Sequence, residues 1–239
     1  MGYIYNPKTK GSGIITAIPQ KGRCPNNCED CFFQNGRSYL EPLEENLPNM
    51  PSKEQARGMV VRVNDGNDSN NQQAFVIEAC KKYEHKFYNT SMPINLDHFD
   101  APVVLTVNPG NLVDKNFWKI DTPPKNLMYV RVLTNTWNAE NVKNAVAFYT
   151  KKEIPTILTF MAYHDHLTIP FEHRTHYILR KRTINEYFAI KRSSFLRIMS
   201  QFEENPLVFS CGNEGITSSC RFCGNCLREY FATVERMKK

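Results

Sequence analysis

Seven of the chain's eight cysteines fall into two short runs, at residues 24–31 and 211–226. The first run, GRCPNNCEDCFFQNG, spaces Cys24, Cys28 and Cys31 as C-x3-C-x2-C, with Gly22, Pro25 and Gly36 favouring loop geometry around them. Three thiolates can ligate three irons of a 4Fe–4S cube, whereas an electron-transfer cluster usually takes four cysteines. The iron without a protein ligand is then open to another group. Zinc prefers four N or S ligands, commonly as paired knuckles, and no nearby His or fourth Cys completes this loop. The loop therefore favours iron–sulfur chemistry.

The second run, CGNEGITSSCRFCGNC, places Cys211, Cys220, Cys223 and Cys226 at C-x8-C-x2-C-x2-C. Four cysteines within sixteen residues make a metal site the expectation. The C-x2-C-x2-C part is similar to bacterial ferredoxin spacing, while zinc knuckles more often show two separated pairs. A second 4Fe–4S cluster is preferred, with zinc as the alternative, and the tail is expected to fold only with its metal. Cys80 stands alone in QQAFVIEACKKYEH, where Phe75, Val76, Ala79, Cys80 and Tyr83 share one helical face. It reads as a buried small hydrophobe.

The elements that must position these thiols alternate. Short runs rich in β-branched and aromatic residues predict strands at 13–18, 59–63, 86–90, 102–107, 127–133 and 155–161. Several are nearly continuous apolar runs, as expected of a parallel sheet buried on both faces. Helices are predicted at 72–84, at 138–152 with Val142, Ala145, Val146 and Tyr149 on one face, and at about 186–203 with Phe195, Ile198, Met199 and Phe202 on one side. A short strand, LVFSC, precedes the cysteine-rich tail. The fold class expected is α/β, a partial (β/α)6 TIM-like barrel over residues 1–170. Residues 171–239 would form a C-terminal helix and a small metal-binding extension.

Composition is that of an ordinary globular chain: 239 residues, 41% hydrophobic and 23% charged, with a net charge of +6. No apolar run reaches the ~18 residues of a membrane span, and the first residues lack the apolar stretch of a secretory signal. The cytoplasm is the expected compartment, and a reducing one leaves clustered cysteines for metal rather than disulfides. Arg174, Arg180, Lys181, Arg182, Lys191, Arg192 and Arg197 make residues 173–197 basic. Such a stretch binds an anionic or nucleic-acid partner or is simply a solvated helix face, and the second reading is preferred.

The C-x3-C-x2-C motif, followed by an aromatic residue and set just after the first strand of a βα series, resembles the signature of the radical S-adenosylmethionine (SAM) superfamily. The resemblance runs in order and spacing over residues 12 to 162. It implies that Cys24, Cys28 and Cys31 hold a 4Fe–4S cluster whose open iron chelates SAM, and that Phe32 lies against the adenine. It further implies that SAM is cleaved reductively to a 5′-deoxyadenosyl radical, which takes hydrogen from a substrate the sequence does not identify. A flavodoxin- or ferredoxin-like protein would supply the electron. Gly66, Asn67 and Asp68 fall where the family commonly has Gly-Gly-Glu, with the second Gly replaced by Asn and Glu by Asp. Asn89, Thr90 and Ser91 are similar to the Thr-Asn-Gly at a strand end of activating enzymes, and Arg131 to an arginine on the fifth strand of some relatives. With Asn108, Thr134 and Asn135 at further strand ends, these are the expected SAM contacts. Auxiliary clusters are frequent in the family, which suits Cys211, Cys220, Cys223 and Cys226.

The sequence does not identify a catalytic residue beyond the cofactor. His164 and His166, in AYHDHL, and Tyr163 beside them, read as an ordinary polar loop with a possible place near substrate. The alternative function is a non-catalytic zinc protein, including a nucleic-acid-binding module that uses both cysteine groups and the basic stretch.

Overall fold

The computed structural model describes residues 2–28, 31, 33, 38–108, 117–181, 186–212 and 219–239. Phe32 and Gly36 lie outside them. Strands β1 (Ile14–Ala17), β2 (Val60–Val63), β3 (Lys86–Thr90), β4 (Val103–Val107), β5 (Leu127–Thr134) and β6 (Thr156–Phe160) form where the apolar runs predict them. All pair in parallel, in chain order. Beyond β6 the chain makes a small antiparallel sheet of β7 (Ala162–Tyr163), β8 (Tyr177–Lys181) and β9 (Glu186–Ile190), ordered β7-β9-β8. It then returns as β10 (Val208–Ser210), which pairs in parallel with β6 and completes a seven-stranded sheet. The architecture is mixed α/β.

Helices α1 (Leu43–Asn46), α2 (Lys53–Ala56), α3 (Gln73–Cys80), α4 (Ala139–Thr150), α5 (Arg192–Met199), α6 (Cys220–Cys223) and α7 (Asn225–Lys238) complete the described elements. No helix among the described residues is long and apolar enough to cross a membrane.

Alternation along the strands gives the sheet two different faces. On one face Ile15, Val61, Val63, Tyr88, Val103, Leu105, Val130 and Val132 join Val76 and Cys80 of α3 and Val142, Ala145, Val146 and Tyr149 of α4 in the main core. Cys80 is completely buried, as expected, whereas Phe75 is 51% exposed and lies off the predicted face. The other face changes character along its length. Near the strand starts, Val60, Phe87, Val104, Tyr129 and Ile157 pack against Tyr230, Leu227 and Val234 of α7. Each large side chain so buried contributes about 1.5–3 kcal/mol. Arg236 ties the far end of α7 to the start of β5, donating from Nε to the Lys125 carbonyl (3.0 Å) and from Nη2 to that of Leu127 (2.5 Å). Towards the strand ends the same face turns polar, with Arg62, Asn89, Thr106, Arg131 and Thr159, and opens into a cavity.

Two expectations change. The predicted helix over 186–203 is the strand β9 followed by α5, because Tyr187, Phe188 and Ile190 favour an extended chain that pairs with β8. The basic stretch 173–197 is therefore not one helix face; it runs through a 3₁₀ turn, two strands and a helix. The tail is also built into the main body rather than set beside it: β10 extends the central sheet and α7 covers one of its faces.

Candidate metal and cofactor centre

The cavity at the strand ends encloses about 1000 Å³, at the upper end for a small-molecule site. All seven clustered cysteines border it. Sequence separation of nearly two hundred residues thus becomes two groups of thiols facing one space.

The loop leaving β1 carries the first group. Gly22 bends it in the left-handed region (φ +72°), and the Cys31 amide donates to the Cys28 carbonyl at 3.2 Å. Asn71 Nδ2 lies 3.5 Å from Cys24 Sγ, and Ser91 Oγ lies 3.4 Å from Cys28 Sγ. Burial pushes the Cys24 thiol up to about 11 and also raises Cys28. Metal binding here must therefore displace protons.

Asp68, 4% exposed, is the anchor behind this loop. Its Oδ1 accepts from Thr90 Oγ1 (2.7 Å) and the Asn70 amide (2.9 Å); its Oδ2 accepts from the Ser91 amide (2.6 Å) and Ser91 Oγ (2.8 Å). Asp68, one of the expected SAM contacts, here holds the end of β3. Gln20, which the sequence did not single out, donates to the carbonyls of Asp68 and Asn71 (2.8 Å each) and so fixes the same turn. Asn67 Oδ1 accepts from the Asp68 amide at 2.8 Å. Gly66 has a steric reason: a Cβ there would sit 2.1 Å from the Phe33 ring. Phe33 is thus the described aromatic residue packed over this turn.

The tail supplies the second group. Cys211 continues β10, its amide donating to the Leu158 carbonyl at 2.7 Å. Cys220 and Cys223 lie on α6 and Cys226 opens α7. Gly224, left-handed at φ +69°, is the joint that turns both helices' cysteines to the cavity; an L side chain would be strained there. Tyr129 Oη lies 3.1 Å from Cys226 Sγ, Arg62 Nη1 donates to Cys220 Sγ at 3.9 Å, and Arg131 stands behind Tyr129. The Cys211 thiol donates to Cys223, which raises Cys211 and holds Cys223 down to about 6.

Comparison with protein-family models, curated proteins and solved structures finds no match to this chain.

The site's own chemistry is consistent with soft metal groups. Thiolates suit iron–sulfur clusters and zinc alike. Among the described residues no three His, Cys, Asp or Glu side chains converge closely enough to hold a single metal ion. The buried Nε of Arg62, beside Cys220, has no acceptor among the described residues. A donor orphaned there suits an anionic sulfur-bearing group.

Of the expected SAM contacts, Gly66, Asn67, Asp68, Asn89, Thr90, Ser91, Asn108 and Arg131 border the cavity. Thr134 and Asn135 do not. They are fully buried, and Asn135 Oδ1 accepts from the amides of Trp137 and Asn138 at the start of α4. Arg131 faces Asn89, Thr106 and Tyr129. Tyr163, His164 and His166 are absent from the cavity wall; the Tyr163 hydroxyl meets Asn135, and His164 Nδ1 lies 3.1 Å from the Glu186 carbonyl. The β8–β9 pair contributes Arg180 and Tyr187 instead. Arg180 was visible only as part of the basic stretch, and the signal for Tyr187 was the aromatic run 187–190, hidden by the helical reading.

Proposed function

We propose that this chain is a radical SAM enzyme built on a partial (β/α)6 barrel, with an auxiliary 4Fe–4S cluster at Cys211, Cys220, Cys223 and Cys226. One observation carries the reading: a C-x3-C-x2-C loop after the first strand and a four-cysteine tail border the same cavity at the C-terminal ends of parallel strands. When bound, the cluster at Cys24, Cys28 and Cys31 supplies the electron that cleaves SAM, and the cleavage product takes hydrogen from substrate.

The chain's own residues do the rest. Asp68, through Ser91 and Thr90, fixes the β3 end against the cysteine loop, so the thiols keep their spacing without relying on metal alone. Asn67, Asn89 and Asn108 offer amides and carbonyls to the polar ends of a nucleoside-sized ligand. Ile14, Leu133 and Phe160 supply apolar wall, and Arg180 and Tyr187 border the same space from the antiparallel sheet.

Anaerobic reconstitution with iron and sulfide, then dithionite and SAM, tests the reading. A brown protein releasing 5′-deoxyadenosine is expected. A colourless protein with stoichiometric zinc and no cleavage refutes it in favour of a zinc-binding protein.

A further inference from the structure

Hydrogen-bond direction separates the two cysteine groups. Arginine only donates, so the 2.9 Å contact from Arg131 Nη2 makes the Tyr129 oxygen the acceptor. The hydroxyl hydrogen of Tyr129 is then left for Cys226 Sγ, 3.1 Å away. Arg131's other partners, Asn89 Oδ1 and Thr106 Oγ1 at 3.3 Å each, are neutral, so its full positive charge remains beside the tail cysteines. Arg62 adds a second guanidinium against Cys220, although its other end is neutralised by Asp65 at 2.8 Å.

The loop group has the opposite setting. Ser91 gives its hydroxyl proton to Asp68, which can only accept, so it has none to give to a Cys28 thiolate. A negative carboxylate stands behind it, and the donors that reach Cys24 are neutral amides, the Asn71 side chain at 3.5 Å and the Asn26 backbone. Reduction adds negative charge, so donors and cations at ligand sulfurs raise a cluster's potential, and nearby anions lower it.

We propose that Tyr129, oriented by Arg131, sets the redox poise of the tail site and holds its cluster at a higher potential than the cluster at Cys24, Cys28 and Cys31. Tyr129 touches the ligand sulfur; Arg131 is a positioning residue acting through it. The inference rests on the proposed reading that both sites carry iron–sulfur clusters. An electron shared between the sites then resides at the tail.

The test is an anaerobic redox titration of the reconstituted full chain, followed by electron paramagnetic resonance. It compares wild type, Tyr129→Phe, Arg131→Gln and the Cys24/Cys28/Cys31→Ala variant, which retains only the tail signal and so assigns it. The tail wave is expected above the loop wave. Tyr129→Phe, which keeps the ring, should shift the tail wave negative by about tenfold in the oxidised-to-reduced ratio, or about 59 mV for one electron. Arg131→Gln should shift it in the same direction, with iron content and the loop wave unchanged. A tail wave below the loop wave, an unmoved tail wave in Tyr129→Phe, or an equal shift of both waves overturns the inference. Zinc in place of the tail wave also overturns it while leaving the loop wave and SAM cleavage intact; loss of both waves marks failure of the radical SAM reading itself.

Discussion

Around Cys24, Cys28 and Cys31 the polar neighbours among the described residues include the Asn71 and Asn26 amides, a serine and, behind the serine, the Asp68 carboxylate. Around Cys211, Cys220, Cys223 and Cys226 they are a tyrosine and two guanidiniums, that of Arg62 buried and that of Arg131 partly so. The same residue type, bordering one cavity, thus sits in two electrostatic settings. The donors that reach Cys24 are neutral amides, and the carboxylate of Asp68 stands behind the loop. The tail is surrounded by groups that welcome negative charge. Spacing tells which cysteines act together; their neighbours tell what charge they can carry.

The sharpest way to break this comparison is to empty one site at a time. Replacing Cys24, Cys28 and Cys31 together with Ala should remove about four irons per chain and abolish SAM cleavage, while the tail keeps its metal. Iron and sulfide analysis checks this, and unchanged iron content would end the assignment.

Emptying the other site should do less to the chemistry and more to the structure. Cys220→Ala with Cys223→Ala should remove the tail metal and lower the melting temperature, because α6 and α7 lose their shared anchor. SAM cleavage at the loop should persist. Complete loss of cleavage in a folded variant would show that the two sites work as one.

Asp68 sharpens the comparison from the loop side. With four hydrogen bonds to its carboxylate, Asp68→Ala should destabilise the fold by about 3 kcal/mol, read by urea unfolding, and reduce iron retention at the loop. A folded, fully iron-loaded variant that loses SAM affinity instead would return Asp68 to the expected SAM contacts.

The smallest effect concerns the thiols themselves. In metal-free protein at pH 7, Cys223, held down to about 6 by the thiol of Cys211, is largely thiolate, whereas Cys24, pushed up to about 11 by burial, is almost wholly protonated. The lower basicity of the Cys223 thiolate offsets part of this advantage, and iodoacetamide should still react faster at Cys223 than at Cys24. Peptide mapping over time checks the order. Equal rates would show that the Cys211–Cys223 pairing does not hold in solution.

Six strands of the parallel sheet were legible because their apolar runs are continuous, as burial on both faces demands. The α4 face was legible for a similar reason: Val142, Ala145, Val146 and Tyr149 repeat at helical period and are all buried. Residues 186–190 misled because a strand pairing with a distant segment has no local signature stronger than its aromatic content. The cysteine groups were visible as two spacings, but nothing local to either says that they face one cavity. That juxtaposition depends on β10 taking its place beside β6 and on α7 crossing the starts of the strands, both long-range pairings. The sequence by itself determined which thiols form groups, since ligand spacing is a property of adjacent residues. Only the tertiary structure decided that Arg62 and Tyr129, from strands far along the chain, stand beside the tail and Asp68 behind the loop, because charge acts through space and not along the chain.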